Sequence, residues 1–329
     1  MRLLTAADIG WVVSMADAIA AVKYAFAELS AGRASVPVRT SLAADAHRGT
    51  ALYMPAYLTA SQNLGMKAVT VFPGNPERGL PTIFAAVFLQ DATTGRPTAL
   101  LEGTYLTALR TGAATGAATE LLSRPEASRL CLFGTGGQAP CQLEGVCAVR
   151  RLEEAWVWSR NLEHARNFIA RMRDRPFGRE ITFHVAADPR DGLRRADIIV
   201  TATPARTALF NAEDVREGAH VNAIGAFTPD MIEVPQALVA RAKVVVDSRE
   251  ACLAEAGDLL MPMRDGVIAP THIYAELGEL VAGQKPGRVD PTEITLFKSV
   301  GNAVQDLAVG RLALERAEAQ GFGHVVELG

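Results

Sequence analysis

Residues 130–139, LCLFGTGGQA, constrain the fold of this chain more than any other stretch. An apolar strand that runs straight into Gly134-Thr135-Gly136-Gly137-Gln138-Ala139 reads as the opening of a dinucleotide-binding strand–turn–helix unit. Gly134 permits the tight turn, Gly136 lets the backbone approach a pyrophosphate, and the following helix aims its free N–H groups at that anion. Ala139 stands where the third small residue belongs, and Pro140 is tolerated because it falls in the first helical turn. Further strand-like runs at 155–159, 181–186, 197–201, 220–225 and 243–247 follow at the intervals of a doubly wound α/β sheet.

A chain of 329 residues has room for two domains. A net charge of −3, with no block of Lys or Arg, argues against nucleic acid or an anionic membrane as its partner. Cys131, Cys141, Cys147 and Cys252 lack the spacing of a zinc site and read as apolar core residues of a reducing compartment, so no metal is expected. Asp8 and Asp17 interrupt the first twenty residues, no signal peptide is visible, and no run has the length of a membrane span. The expectation is a cytoplasmic globular protein.

Before the glycine turn the pattern differs. Residues 5–29 read as one amphipathic helix, and 38–42, 50–55, 65–71 and 83–89 as strands of a mostly antiparallel or mixed sheet, since no crossover helix separates them. Residues 105–122 read as a helix of small residues that another backbone can approach closely. Helices are expected near 138–150, 161–172, 187–195, 211–215 and 233–241. Residues 295–320 read as one last helix returning to the first domain. The expected division is a dinucleotide-binding domain over 119–302 and a substrate and dimerisation domain from 1–118 with 303–329.

Two groups of residues suggest chemistry. About twenty residues beyond the glycines, an NAD-binding chain places a carboxylate on the ribose 2′-hydroxyl. Here that point reads Ser159-Arg160-Asn161, which complements a 2′-phosphate and favours NADPH, with NADH as the alternative. Thr201, Ala202, Thr203, Ile224 and Gly225 end two strands at the carboxyl edge, where ligands collect in open α/β sheets. In the first domain Arg39 is expected within a strand, Lys67 lies in another, and Arg110 is embedded in the small-residue helix. Any one of them could be a salt bridge, but three in one domain suggest an anion site, and a carboxylate is the natural match.

These segments resemble the ornithine cyclodeaminase/mu-crystallin family along essentially the whole chain. The resemblance is carried by Val36-Pro37-Val38-Arg39-Thr40, Met54-Pro55-Ala56-Tyr57, Gly65-Met66-Lys67, Tyr105-Leu106-Thr107-Ala108-Leu109-Arg110-Thr111, the Gly134 turn, Asn222-Ala223-Ile224-Gly225 and Phe297-Lys298-Ser299-Val300-Gly301. It implies a Rossmann domain joined to a mixed α+β substrate and dimerisation domain built from both chain ends, and a homodimer. It also implies that Arg39, Lys67 and Arg110 hold a substrate carboxylate, with Met54 beside the substrate and Thr111 beside the cofactor.

Cyclodeaminases and related alanine dehydrogenases resemble one another in an Asp two residues beyond the Ile-Gly pair. Here Phe227 takes that place and Met231 replaces a Lys four residues later, while Asp230 is out of register. Phe cannot accept a proton. The expected reaction is therefore reduction of a substrate that is already an imine: Δ1-pyrroline-2-carboxylate or Δ1-piperideine-2-carboxylate to proline or pipecolate. Lys67 would be the catalytic residue, Phe227 an apolar wall beside the ring, and Ser299, near the start of the last helix, a contact on the substrate side of the nicotinamide. The rivals are an ornithine cyclodeaminase or alanine dehydrogenase-like activity, and a mu-crystallin-like protein that binds NADPH and a small ligand without turnover.

Overall fold

A computed structural model of the chain describes residues 1–327. It is an α/β protein of two compact units, Met1–Arg110 with Asn302–Gly329, and Thr111–Gly301. The expected boundary at 118/119 falls inside the single helix Gly103–Leu122, and the units divide within that helix at 110/111.

In the first unit the strands Gly49–Leu58, Asn63–Val71, Ile83–Asp91 and Pro97–Glu102 form an antiparallel meander, extended by the short Arg2–Leu4 strand parallel to Pro97–Glu102. Register sorts the side chains by face, because paired residues point the same way. Met54, Lys67, Val87 and Leu101 form one row of a buried face, on which Leu307 of the helix Ala303–Gln320 meets the backbone at Gly65. Leu42, Ala51, Thr70 and Phe84 form a row of the opposite face, Tyr53, Ala68 and Ala86 the next, and Pro55, Met66, Phe88 and Leu100 a third. The Tyr53 row ends on Glu102, whose carboxylate accepts from the backbone N–H groups of Thr104 and Tyr105, and the rest of these rows are uncharged; the face leaves Phe84 46% and Leu42 54% exposed.

The helix expected over 5–29 is two, Ala6–Val12 and Met15–Ser30, bent by 90°. Each starts with its own capping box, Thr5 with Asp8 and Ser14 with Asp17, and Val13 is extended between them. The apolar stripe continued through the break, so periodicity alone concealed it. Arg39 lies just before the strand Thr40–Ala44, not within a strand.

The second unit is an eight-stranded parallel sheet, in the order Thr182–Ala186, Glu154–Trp158, Arg129–Phe133, Ile198–Thr201, His220–Ala223, Thr295–Lys298, Lys243–Val246 and Ile273–Glu276. The strand Thr295–Lys298 corrects the expectation of one helix from 295: these four residues are fully buried between two neighbours, and the helix begins only at Ala303, capped by Asn302. A short apolar run buried on both faces has no period that separates strand from helix. The helix expected at 211–215 is a single 3₁₀ turn, Ala212–Asp214, and the helices Arg249–Glu255 and Gly257–Arg264 were not anticipated. Within this unit the helices Gly103–Leu122 and Ala139–Cys147 meet backbone to backbone: a Cβ on Gly112 would sit 2.1 Å from the Cys141 carbonyl oxygen. Among the described residues, no single helix is long and apolar enough to cross a membrane.

Candidate functional site

The Gly134 turn has the geometry its sequence demands. Gly134 adopts φ +104°, and a Cβ there would lie 2.4 Å from the Ala202 carbonyl oxygen, so both conformation and space require glycine. A Cβ on Gly136 or Gly137 would meet nothing within 4 Å, leaving room over the helix that starts at Ala139. A cavity of about 1080 Å³ opens beside the turn. Gly134, Thr135, Gly136, Ser159, Arg160, Ala202 and Thr203 all border it, as the sequence suggested for a cofactor. His164, Arg171 and Arg206 also border it, and no carboxylate does, so its walls suit an anionic ligand. Arg171 was not legible because it lies three helical turns beyond Arg160, on the helix Leu162–Arg173.

The remaining residues expected at the cofactor lie outside that cavity. The Asn161 side chain caps the helix Leu162–Arg173 by accepting from Glu163 N at 2.9 Å. Gln138 stands just before the helix Ala139–Cys147 with its Oε1 buried and without a hydrogen-bond donor. Thr111 and Ile224 are buried. Gly225 N donates to Glu233 Oε2 at 2.6 Å.

In the first unit Lys67 and Arg110 converge on a residue sequence reading missed. Lys67 Nζ lies 2.7 Å from Asp306 Oδ2, and Arg110 Nε donates to Asp306 Oδ1 at 3.0 Å. Lys67 is 2% exposed and Asp306 not at all. Arg110 Nη1 also donates to Gln305 Oε1 at 2.8 Å, the same oxygen that accepts from Asn302 N in the helix capping box. Asp306 resembled an ordinary first-turn helix acid, and only its complete burial among cations distinguishes it. Burial pushes the Lys67 ammonium down to about 8; the Arg110 and Arg39 charges push the same way, and Asp306 opposes them. Arg39 is half-buried and close enough to act on Lys67 through its charge, and Met54 is the direct cross-strand neighbour of Lys67. Arg39, Met54, Lys67 and Arg110 therefore belong to one neighbourhood.

Phe227 and Ser299 belong to the second unit. Phe227 packs half-buried against the apolar core of the parallel sheet. Ser299 is not at the start of a helix: it follows the strand Thr295–Lys298, and its hydroxyl donates to the buried Asp247 at 2.7 Å. Asp230, rejected as a base on register, accepts from Thr228 and pairs with Arg206 on the surface, which holds its carboxyl down. A second buried group went unnoticed: Glu233, Asp258 and Lys298, all fully buried, with Lys298 Nζ 2.9 Å from Asp258 Oδ2. No cluster of His, Cys, Asp and Glu suited to a metal occurs among the described residues.

The chain is similar to several known proteins. The chain is 43% identical over 328 residues to a Δ1-pyrroline-2-carboxylate reductase of Bacillus cereus, covering 99% of this chain and 100% of that one. It superposes with a TM-score of 0.94 and 43% identity on the Thermococcus litoralis Δ1-pyrroline-2-carboxylate reductase solved with NADH and L-proline, covering 99% and 100% of the two chains. An archaeal alanine dehydrogenase dimer with bound NAD follows at TM-score 0.93 and 35% identity, covering 100% and 99%. The sequence pattern of the ornithine cyclodeaminase/mu-crystallin family matches residues 1–321, and the chain belongs to that family.

Proposed function

We propose that this protein reduces a cyclic ketimine carboxylate, Δ1-pyrroline-2-carboxylate or its six-membered homologue, to proline or pipecolate with NADPH. The observation that carries the reading is the buried Lys67–Asp306–Arg110 cluster. Its likeness to reductases of that imine points the same way. Asp306 and Gln305 anchor Arg110 through Nε and Nη1, which leaves Nη2 to grip a carboxylate. Lys67 and Arg110 set two cations against the single acid Asp306, so one anionic substrate improves the charge balance of the site. Arg39 and Arg110 supply position. Lys67 Nζ holds a proton, and with its pKa near 8 it can pass that proton to the imine nitrogen as the ring carbon is reduced. When bound, the reduced nicotinamide supplies the hydride that C2 receives. The product nitrogen keeps the Lys67 proton, and solvent returns one to Lys67. Phe227, where related deaminating enzymes carry an acid, offers an apolar wall and no base.

The 111–301 unit is read as the dinucleotide domain and the unit from both chain ends as the substrate and dimerisation domain. The alternatives, amine oxidation or cyclodeamination, need a base to manage the substrate amine, and Phe227 is no base. Incubating the purified protein with NADPH and each cyclic imine should consume NADPH and yield the amino acid; ammonia release from ornithine without imine reduction would reverse the choice. In the same assay Arg160→Ala should raise the KM for NADPH by about tenfold and leave that for NADH nearly unchanged, since one charge-assisted hydrogen bond to a phosphate contributes about 1.5–3 kcal/mol. Equal effects on both cofactors would remove Arg160 from the phosphate.

A second copy of the chain is proposed as the partner, lying on the mostly apolar sheet face of Tyr53, Met66, Phe84 and Phe88, in keeping with the dimeric alanine dehydrogenase relative. Sedimentation should give twice the 35.0 kDa chain mass, and Phe84→Arg should lower it; a wild-type monomer would refute the dimer. Four free thiols suit a cytoplasmic setting.

A further inference from the structure

We propose that Glu233 is the positioning residue of the nicotinamide-side wall of the dinucleotide site, tying the ends of two adjacent strands into one fixed ledge. The inference rests on reading this unit as the cofactor domain, and it does not depend on the identity of the substrate.

The Glu233 carboxylate receives five donors from two neighbouring strand ends. Its Oε1 accepts from Thr203 N at 2.7 Å and Thr203 Oγ1 at 2.8 Å. Its Oε2 accepts from Thr201 Oγ1 at 3.0 Å, Gly225 N at 2.6 Å and Ala226 N at 3.1 Å. Thr201 ends the strand Ile198–Thr201, and Gly225 and Ala226 follow His220–Ala223. These two strands stand on the far side of the Gly134 strand from Glu154–Trp158, whose end carries Ser159 and Arg160. In a doubly wound sheet, ligands lie across the carboxyl ends at this switch point. The adenosine half belongs to the Arg160 side and the nicotinamide half to the Glu233 side.

The ledge is tightly fitted. A Cβ on Gly225 would lie 2.3 Å from Thr203 N, and the Ala202 carbonyl oxygen limits Gly134 in the same way. The segment Glu233 holds therefore abuts the phosphate turn itself. Glu233 is in turn fixed from behind: its backbone N and that of Val234 donate to Asp258 Oδ1 at 2.7 and 3.0 Å, and Lys298 Nζ bridges Asp258 to the Ala226 carbonyl oxygen at 2.6 Å. Two buried acids and one buried lysine are a costly way to fill a core, and apolar side chains would serve stability as well. What the ions supply is geometry: five N–H and O–H groups held in one arrangement by two oxygens.

Glu233→Gln turns one of those oxygens into an NH₂ facing the N–H groups of Thr203 or of Gly225 and Ala226, of which Gly225 N alone also reaches the Thr201 carbonyl oxygen, at 3.2 Å. The dissociation constants of NADPH and of adenosine 2′,5′-bisphosphate, which reaches only the Arg160 side, are measured for wild type and variant. NADPH should weaken by about tenfold or more while the bisphosphate stays within about twofold, a tenfold change corresponding to about 1.4 kcal/mol. Equal weakening of both ligands, which general loosening would cause, overturns the proposal, as does no change in either. Should the Gln variant not fold, Glu233→Asp keeps the charge, withdraws it by one methylene, and is judged on the same ratio. Wild-type protein that binds NADPH but reduces no imine would refute the proposed reaction and leave this inference standing; failure to bind NADPH overturns both.

Discussion

Lys67→Met should lower kcat for imine reduction by about a thousandfold, within the 10²–10⁴ range of a positioned proton donor, while NADPH binds as before. The variant should fold. Met fills the channel occupied by the lysine stem, and Asp306 keeps Arg110 as its counter-charge, with Nε at 3.0 Å. This separation makes the measurement informative: far-ultraviolet circular dichroism and NADPH affinity hold while turnover collapses. The wild-type pH profile supplies the second half. The reaction requires the protonated ammonium, so the rate is full at low pH and falls as pH rises through about 8, the value to which burial lowers Lys67. In Lys67→Met that limb disappears from the residual activity. A variant retaining a tenth of wild-type kcat with the same alkaline limb would show that the proton comes from elsewhere.

How much of this was legible in the sequence follows the physics of each element. The glycine turn was readable because φ +104° and a 2.4 Å approach leave one residue type for the position. Lys67 and Arg110 were readable because long cations stand out in apolar strands and small-residue helices. The strand Thr295–Lys298 was not, since four buried residues carry no period, and the helix beyond it lent its own pattern to the stretch. Asp306 and Glu233 were hidden for a different reason. An acid in the first turn of a helix, or three residues after an Asp in a loop, has an ordinary local explanation. Its long-range partners are 239 and 32 residues away for Lys67 and Thr201 respectively. Burial of charge is a property of the folded chain, and local pattern does not record it.

Asp306→Ala is expected to be the most damaging single change to the fold of the first unit. It leaves two buried cations, Lys67 at 2% and Arg110 at 5% exposure, repelling each other with no anion between them. Removing one partner of a buried ion pair costs about 3–5 kcal/mol, a large share of a domain's stability. Chemical denaturation should record a loss of that size, and a loss under about 1 kcal/mol would mean that solvent already screens the pair. The milder Asp306→Asn keeps shape and hydrogen bonding but removes the charge that raises the Lys67 pKa, so the alkaline limb of activity should move below about 8. Stability carries the same sign. The folded-state pKa of Lys67 lies below its ordinary 10.5, so between about 8 and 10.5 the unfolded chain holds a proton that the folded chain has released. The contribution of this site to stability therefore rises with pH across that window, and in Asp306→Asn the window extends to lower pH. The acid thus opposes the burial that lowers the Lys67 pKa: without Asp306 the ammonium would titrate below about 8, and less of Lys67 would reach the imine with a proton to give.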